Sequence, residues 1–279
     1  RRPYKGDGSY KLADGSVNPK GGPRDGMIRT KADLDWVAAM MAAGYTFNNN
    51  LKNIGSNGSN LWYGDLIMDD VNGDGKYGND DDREFTGKSS TPKVTLGLNI
   101  TAAWRGFDLN MTWSGRFGGY HYLNSKGANG SMITNVGDAL PGDAWNKFYF
   151  YDSEASHAGI IKDENGTIIG SSYDPATDPN ANISNEYPRL LTSGGTTPSN
   201  TFYLYNTSFF KLKSLQIGYT LPKKWIAPAK ISNLRVFVSG ENLLTIKSSR
   251  FPGVDPELGS SLAVYPIARM FSGGLSVTF

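Results

Sequence analysis

Apolar and polar residues alternate most regularly from Val94 to Trp104. Apolar side chains fall at Val94, Leu96, Leu98, Ile100, Ala102 and Trp104, with Thr95, Gly97, Asn99, Thr101 and Ala103 between them. A period of two puts these two sets on opposite faces of a β-strand. Arg105-Gly106 then predicts a tight two-residue turn. Beyond it Phe107, Leu109, Met111, Trp113 and Phe117 alternate with Asp108, Asn110, Thr112, Ser114 and Arg116, so the pair reads as a hairpin. Each arm has about 11 residues, close to the length that crosses a bilayer at barrel tilt. Ordinary strands run to about 5–6 residues.

Similar patterns predict strands over 209–221, 234–244 and 270–279. The first loses its alternation between Leu212 and Leu215, which predicts a bulge or a change of register. The link 222–233 is moderately short, whereas 118–207 and 247–269 are long. If the final residue lies in the periplasm, every short link falls on that side and every long loop falls outside, the habit of outer-membrane barrels. Trp104, Phe107, Tyr219, Trp225 and Phe279 collect at the short-link ends, where barrels carry an aromatic girdle. The alternative is that these rings pack the core of a soluble β-sandwich. The last strand ends Leu275-Ser276-Val277-Thr278-Phe279, and a terminal aromatic closing an alternating strand resembles the signal for barrel assembly.

The expected fold is therefore all-β: C-terminal strands of a transmembrane antiparallel β-barrel with long extracellular loops. Residues 1–93 form an extracellular loop region with a short helix and an acidic loop, and residues 94–279 supply barrel strands.

Composition changes this picture little. The 34 glycines and 12% aromatic residues suit an all-β chain. Mean hydropathy is −0.41, compatible with a barrel whose strands turn every second residue to a polar lumen. The longest apolar stretch, 36–45, is about half of the ~20 residues a spanning helix needs. Cysteine is absent, which removes disulfides, thiolate catalysis and Cys-based metal sites. A net charge of +2 leaves no electrostatic footprint for nucleic acid. The sequence opens on Arg1-Arg2 with no signal peptide, and a secreted barrel requires one, so the chain reads as part of a longer protein.

One segment carries metal chemistry. Asp70-Val71-Asn72-Gly73-Asp74-Gly75 matches the opening of an EF-hand-type calcium loop. Ca²⁺ takes six to eight hard oxygens, and side chains at positions one, three and five converge only where the chain turns sharply at glycine. Asp70, Asn72 and Asp74 are the first candidate ligands, followed by the Lys76 carbonyl and by Asp81 at the twelfth position. Asp80 and Asp82 flank Asp81 and leave the register of the last ligand open. No helical pattern brackets the loop, so a structural ion is expected rather than a sensor. The alternative is an Asx-rich turn that binds nothing.

An enzyme is not expected. The two histidines, His121 and His157, lie in loops away from clustered carboxylates, and no nucleophile elbow, P-loop or zinc motif occurs. Trp145, Tyr149 and Tyr151 are candidates for stacking on a solute such as a sugar ring.

Several motifs, in order, resemble SusC/RagA-type TonB-dependent receptors. They are Gly64-Asp65 through Asp70-Val71-Asn72-Gly73-Asp74-Gly75; the hairpin from Leu96-Gly97-Leu98-Asn99 to Gly106-Phe107-Asp108-Leu109; Tyr187-Pro188-Arg189-Leu190; and Phe210-Lys211-Leu212-Lys213-Ser214-Leu215-Gln216-Ile217-Gly218-Tyr219-Thr220-Leu221-Pro222. Ser239-Gly240-Glu241-Asn242-Leu243-Leu244-Thr245, Gly253-Val254-Asp255-Pro256-Glu257 and Tyr265-Pro266 with Arg269 follow. The likeness covers roughly residues 60–279 and, weakly, 26–36. Met270 departs from the family's usual Thr, and the acidic loop runs one residue longer before Arg83, which bears on the last calcium ligand.

The resemblance implies a plugged barrel of about 22 strands, of which this chain supplies about a quarter of the wall. It implies outer-membrane import of oligosaccharides or peptides with a SusD-like surface lipoprotein, driven by the TonB complex. The N-terminal barrel and plug have no counterpart here, and exposed strand edges cannot stand in lipid, so the chain must pair with that missing part. The rival expectation is a soluble, calcium-stabilised, carbohydrate-binding β-sandwich.

Overall fold

The computed structural model describes residues 1–122, 148–189, 199–251, 255–258 and 267–279. The chain divides into two compact units, Arg1–Thr86 with Leu123–Leu204, and Gly87–Tyr122 with Tyr205–Phe279.

The second unit is built on one antiparallel sheet. Its strands are β1 (Val94–Trp104), β2 (Phe107–Phe117), β3 (Phe209–Thr220), β4 (Asn233–Lys247) and β5 (Met270–Thr278). They pair in chain order, β1-β2-β3-β4-β5. The β1–β2 turn uses Arg105 at φ 47° and Gly106 at φ 90°, the two positive values that match a two-residue hairpin to strand twist. Register carries one set of side chains across the sheet: Ile100 faces Met111, Met111 faces Leu215, Leu215 faces Gly240, and Gly240 faces Phe271. The expected irregularity in β3 is present. Its register shifts against β2 between Thr112 and Trp113, and against β4 between Glu241 and Leu244. Asn242 sits in that second shift at φ 55°, a left-handed conformation that asparagine tolerates better than most side chains. The sheet is open. Among the described residues the five strands do not close a barrel, and β1 and β5 each leave one edge unpaired.

The first unit is mostly irregular chain around a hydrophobic core. Its helix α1 (Lys31–Ala42) starts at a capping box: Thr30 Oγ1 accepts from the Asp33 amide at 3.3 Å, and Asp33 accepts from the Thr30 amide at 2.9 Å. Leu34, Val37 and Met40 recur along one face and are fully buried. Trp36 stacks on Tyr4 at 5.5 Å between ring centroids and donates its indole N–H to the Asn18 carbonyl at 2.8 Å. Asn48, Asn49 and Asn50 all have positive φ, and Asn48 secures this turn by donating to Leu66 O and accepting from the Met68 amide. Trp62 donates to Ser156 Oγ at 2.8 Å, which ties α2 (Ser153–Ala158) to the same core. Residues 148–189, placed by the strand pattern in a barrel loop, thus belong to this unit. No helix among the described residues is long and apolar enough to cross a membrane.

Candidate functional site: an exposed apolar wall and a clasped polar face

Alternation in the five strands makes a sheet with two unlike faces. On one face stand Leu98, Met111, Ile217, Val238 and Leu275, and this face is open. Leu98 is 42% exposed and Leu275 68%. Burying apolar surface is worth about 25 cal/mol per Å², so a sheet surrounded by water would cover such a face. A contiguous exposed apolar patch marks a membrane or protein contact. At the short-turn end the rings are exposed too, Trp104 at 68% and Trp225 at 62%, and Phe107 lies against Tyr219 at 4.5 Å.

The opposite face is polar and cross-braced. Thr101 Oγ1 donates to Asn110 Oδ1 at 2.8 Å across β1 and β2. Arg235 on β4 reaches over β3 to Asp108 on β2, donating from Nε to Oδ2 at 2.9 Å and from Nη2 to Oδ1 at 2.5 Å. Gly218 lies beneath this bridge. A Cβ there would stand 2.4 Å from Arg235 Nη2 and 2.5 Å from Asp108 Oδ2. The residue between the two partners must therefore be glycine for the forked bond to span three strands. Near the long-loop end, Lys211 is buried and bonds Asp255 and Glu257, the latter at 3.0 Å, while Lys213 donates to Glu257 Oε1 at 2.6 Å. Burial would raise the Glu257 carboxyl, but hydrogen bonds from Lys213 and Lys211 outweigh it and hold it below its ordinary range.

The acidic loop is closed by its own amides. Asp70 Oδ1 accepts from the Gly73 and Asp74 amides at 2.7 and 3.1 Å, and its Oδ2 from Gly75 at 2.9 Å. Asn72 accepts from the Asp74 amide, and Asp74 from the Lys76 amide. Gly73, Gly75 and Gly78 supply positive φ at the turns. Asp81, expected at the twelfth position, is exposed. Its neighbour Asp82 is fully buried and folds back on the loop, accepting from the amides of Val71 at 2.6 Å and Gly78 at 2.7 Å. The extra residue before Arg83 is taken up in a 3₁₀ turn over Asp80–Asp82, which moves the closing carboxylate one position on. Asp70, Asn72, Asp74 and the Lys76 carbonyl remain the oxygens at the front of the loop. Among the described residues no group of three acidic or histidine side chains is present at metal-binding spacing, and the amide hydrogen bonds to Asp70, Asn72 and Asp74 form Asx-turns.

The aromatic candidates are placed differently from one another. Trp145 lies outside the described residues. Tyr149 is 1% exposed, its ring against Gly64 and its hydroxyl donating to Arg29 O at 2.7 Å, so it is a packing residue in this structure and presents no face to a solute. Burial pushes its hydroxyl well above the ordinary tyrosine range. Tyr151 is half-buried beside Arg189, which donates to its hydroxyl at 3.2 Å.

Arg189 itself makes the first unit's central contact. It grips Asp65 with Nε–Oδ1 at 2.8 Å and Nη2–Oδ2 at 2.7 Å, and the side chains are only 5% and 4% exposed. Burial opposes the guanidinium charge, but Asp65 more than offsets it and holds Arg189 above its usual range. Asp65 Oδ2 also accepts from the Trp62 amide at 2.8 Å. Gly64, at φ 82°, lets Tyr149 and Arg189 close over the backbone. Sequence reading missed all three ion-pair clasps and left Asp82 as an open alternative to Asp81. The available signal was that their members, Arg235 and Asp82 apart, sit inside the motifs: Gly64-Asp65 with Tyr187-Pro188-Arg189, Asp108 with Gly218, and Lys211 and Lys213 with Asp255 and Glu257.

No family model matches the chain. Its sequence is similar to "TonB-dependent receptor P3" of Formosa agariphila, 26% identical over 235 residues that cover 77% of this chain and 19% of that protein. It is also similar to "TonB-dependent receptor SusC" of Bacteroides thetaiotaomicron, 27% identical over 137 residues, 48% of this chain and 13% of that protein. The chain is thus similar in sequence to part of SusC-like TonB-dependent receptors, and it spans less than a fifth of the length of these curated relatives. Among solved structures, two of the RagAB peptide importer, in its closed-closed and open-open states, match at 22% identity over 77% of this chain and 21% of theirs, with TM-scores of 0.48 and 0.44. The sequence relatives, rather than these structures, carry the assignment. Both relatives are named as receptors and neither as an enzyme.

Proposed function

We propose that this chain is a wall segment of a TonB-dependent transporter in the outer membrane. The observation that carries this is the two-faced sheet of long strands, with its apolar side chains outward and its polar face cross-braced by ion pairs. In this reading the apolar face meets lipid and the polar face lines the lumen, where the plug of the complete receptor sits. The unpaired edges of β1 and β5 continue the wall into the N-terminal barrel strands. A SusD-like lipoprotein caps the outer side and hands over an oligosaccharide or a peptide, and the TonB complex displaces the plug. Loop 70–82 takes a structural calcium ion in this reading, supported by its D-x-N-x-D-G order and its turn at Gly75, with Asp82 rather than Asp81 folded onto the loop. A soluble calcium-bound sandwich is disfavoured, because it requires a second sheet over a face that stands open.

The test is to extract the complete receptor from outer membranes and compare unheated and heated gel migration, with and without a calcium chelator. Different migration before heating, with a lipoprotein copurifying, is the expected result. A soluble chain with one mobility would sink the barrel reading. Chelation is expected to lower the first unit's melting temperature by several degrees, and an unchanged value identifies the loop as an ion-free turn.

A further inference from the structure

Cations stand at both ends of the sheet. At the long-loop end Lys211 and Lys213 are paired with Asp255 and Glu257. At the short-turn end Arg105, Lys223, Lys224 and Lys230 are all exposed, and none forms an ion pair among the described residues. These four belong to one surface. The Gly106 carbonyl, next to Arg105, accepts from the Thr220 amide at 2.7 Å, and Thr220 leads through Pro222 into the short helix Lys223–Ile226 and the turn at Lys230. The acid nearest this end, Asp108, is already taken by Arg235. Beside the cations stand the exposed indoles of Trp104 and Trp225, with Arg105 lying over Trp104 at 5.1 Å.

We infer that this end is a binding rim for anionic phospholipid headgroups, in which Arg105, Lys223, Lys224 and Lys230 contact phosphate while Trp104 and Trp225 anchor at the interface. The inference rests on the membrane reading given above and extends it to a lipid class. Charge complementarity selects the occupant: four exposed cations without an ion pair among the described residues stand at one end of the sheet, and indoles favour the zone where an apolar body meets a polar boundary. Each Lys or Arg beside an anionic surface strengthens attachment about fivefold, an effect that salt screens. A zwitterionic headgroup carries no net charge to exploit this arrangement.

The experiment uses the complete receptor in nanodiscs of phosphatidylcholine, into which phosphatidylglycerol is titrated while bound lipid is counted by native mass spectrometry. A variant carrying Arg105→Gln, Lys223→Gln, Lys224→Gln and Lys230→Gln is compared with Lys162→Gln, an exposed charge in the other unit. Heat-dependent gel migration reports that each variant has folded. Phosphatidylglycerol preference that weakens with salt, falls at least tenfold in the four-site variant and persists in Lys162→Gln is the expected result. Equal binding of the two lipids by the unaltered receptor, or full preference retained by the folded four-site variant, overturns the inference while the barrel reading stands. Loss of a soluble periplasmic protein partner in the variant, with lipid preference unchanged, overturns it in favour of a protein interface. A receptor that never enters the nanodisc overturns the barrel reading, and this inference with it.

Discussion

The first unit shuts away Trp36, Trp62, Leu34 and Met40, while the second leaves Trp104, Leu98, Val238 and Leu275 in the open. Their ion pairs differ in the same sense. Arg189–Asp65 is dry and closed in by aromatic rings, whereas Arg235–Asp108 lies part-exposed across a polar sheet face. On the membrane reading, the same residue types serve two different surroundings. A core surrounded by water must hide its apolar groups, but a sheet facing lipid gains nothing by hiding them. On that reading charges are confined to the face from which lipid is absent.

The largest effect that could break this contrast is at the dry pair. Arg189→Leu leaves Asp65 buried without its partner and is expected to cost roughly 3–5 kcal/mol, read by urea unfolding through Trp36 and Trp62 fluorescence. A cost below about 1 kcal/mol, typical of surface pairs, would erase the distinction between the units. Next comes the assignment of faces. Leu98→Lys should cost about 2–4 kcal/mol when the receptor unfolds from lipid vesicles, and Asn99→Lys, one residue along on the polar face, far less. Equal costs would break the two-face reading. Gly218→Ala should cost about 1 kcal/mol by pushing apart Arg235 and Asp108. In an Asp108→Asn background that cost should shrink, and a double-mutant cycle measures the difference.

The smallest effect is on pH. Glu257 has its folded carboxyl below the ordinary value of 4.5, with burial opposing the shift and Lys213 and Lys211 driving it. Its stabilisation is present above that ordinary value and is lost as pH falls through the depressed one. Protection from hydrogen exchange at 255–258, taken relative to the intrinsic rate at each pH, should fall on acidification over that window, and Glu257→Gln should abolish the dependence.

Much of the second unit was legible because strand pairing is encoded locally. The hairpin Val94–Trp104 with Phe107–Phe117 was readable to the residue, since period-two alternation and a turn of Arg105-Gly106 leave one register. The break at Leu212–Leu215 was readable for the same reason. The first unit was far less legible. Its core joins positions such as Gly64 and Tyr149, and no local period announces contacts made across so many residues. Tyr149 read as a solute contact because an aromatic in a presumed loop looks available, and only packing shows its ring closed against Gly64. Asp81 was counted out as the closing carboxylate by spacing alone, whereas the 3₁₀ turn at Asp80–Asp82 turned Asp82 inward instead.

By itself the sequence determined the strands, their alternating faces, the sharp turns at glycine and asparagine, and the kinship with SusC-like receptors, since these depend on residues close together or on motifs kept in order. Tertiary structure alone decided which charges meet. Asp65 with Arg189, Asp108 with Arg235 over Gly218, and Lys211 with Asp255 and Glu257 are pairs that form only when segments distant in sequence are brought together, and no local pattern records where that will happen.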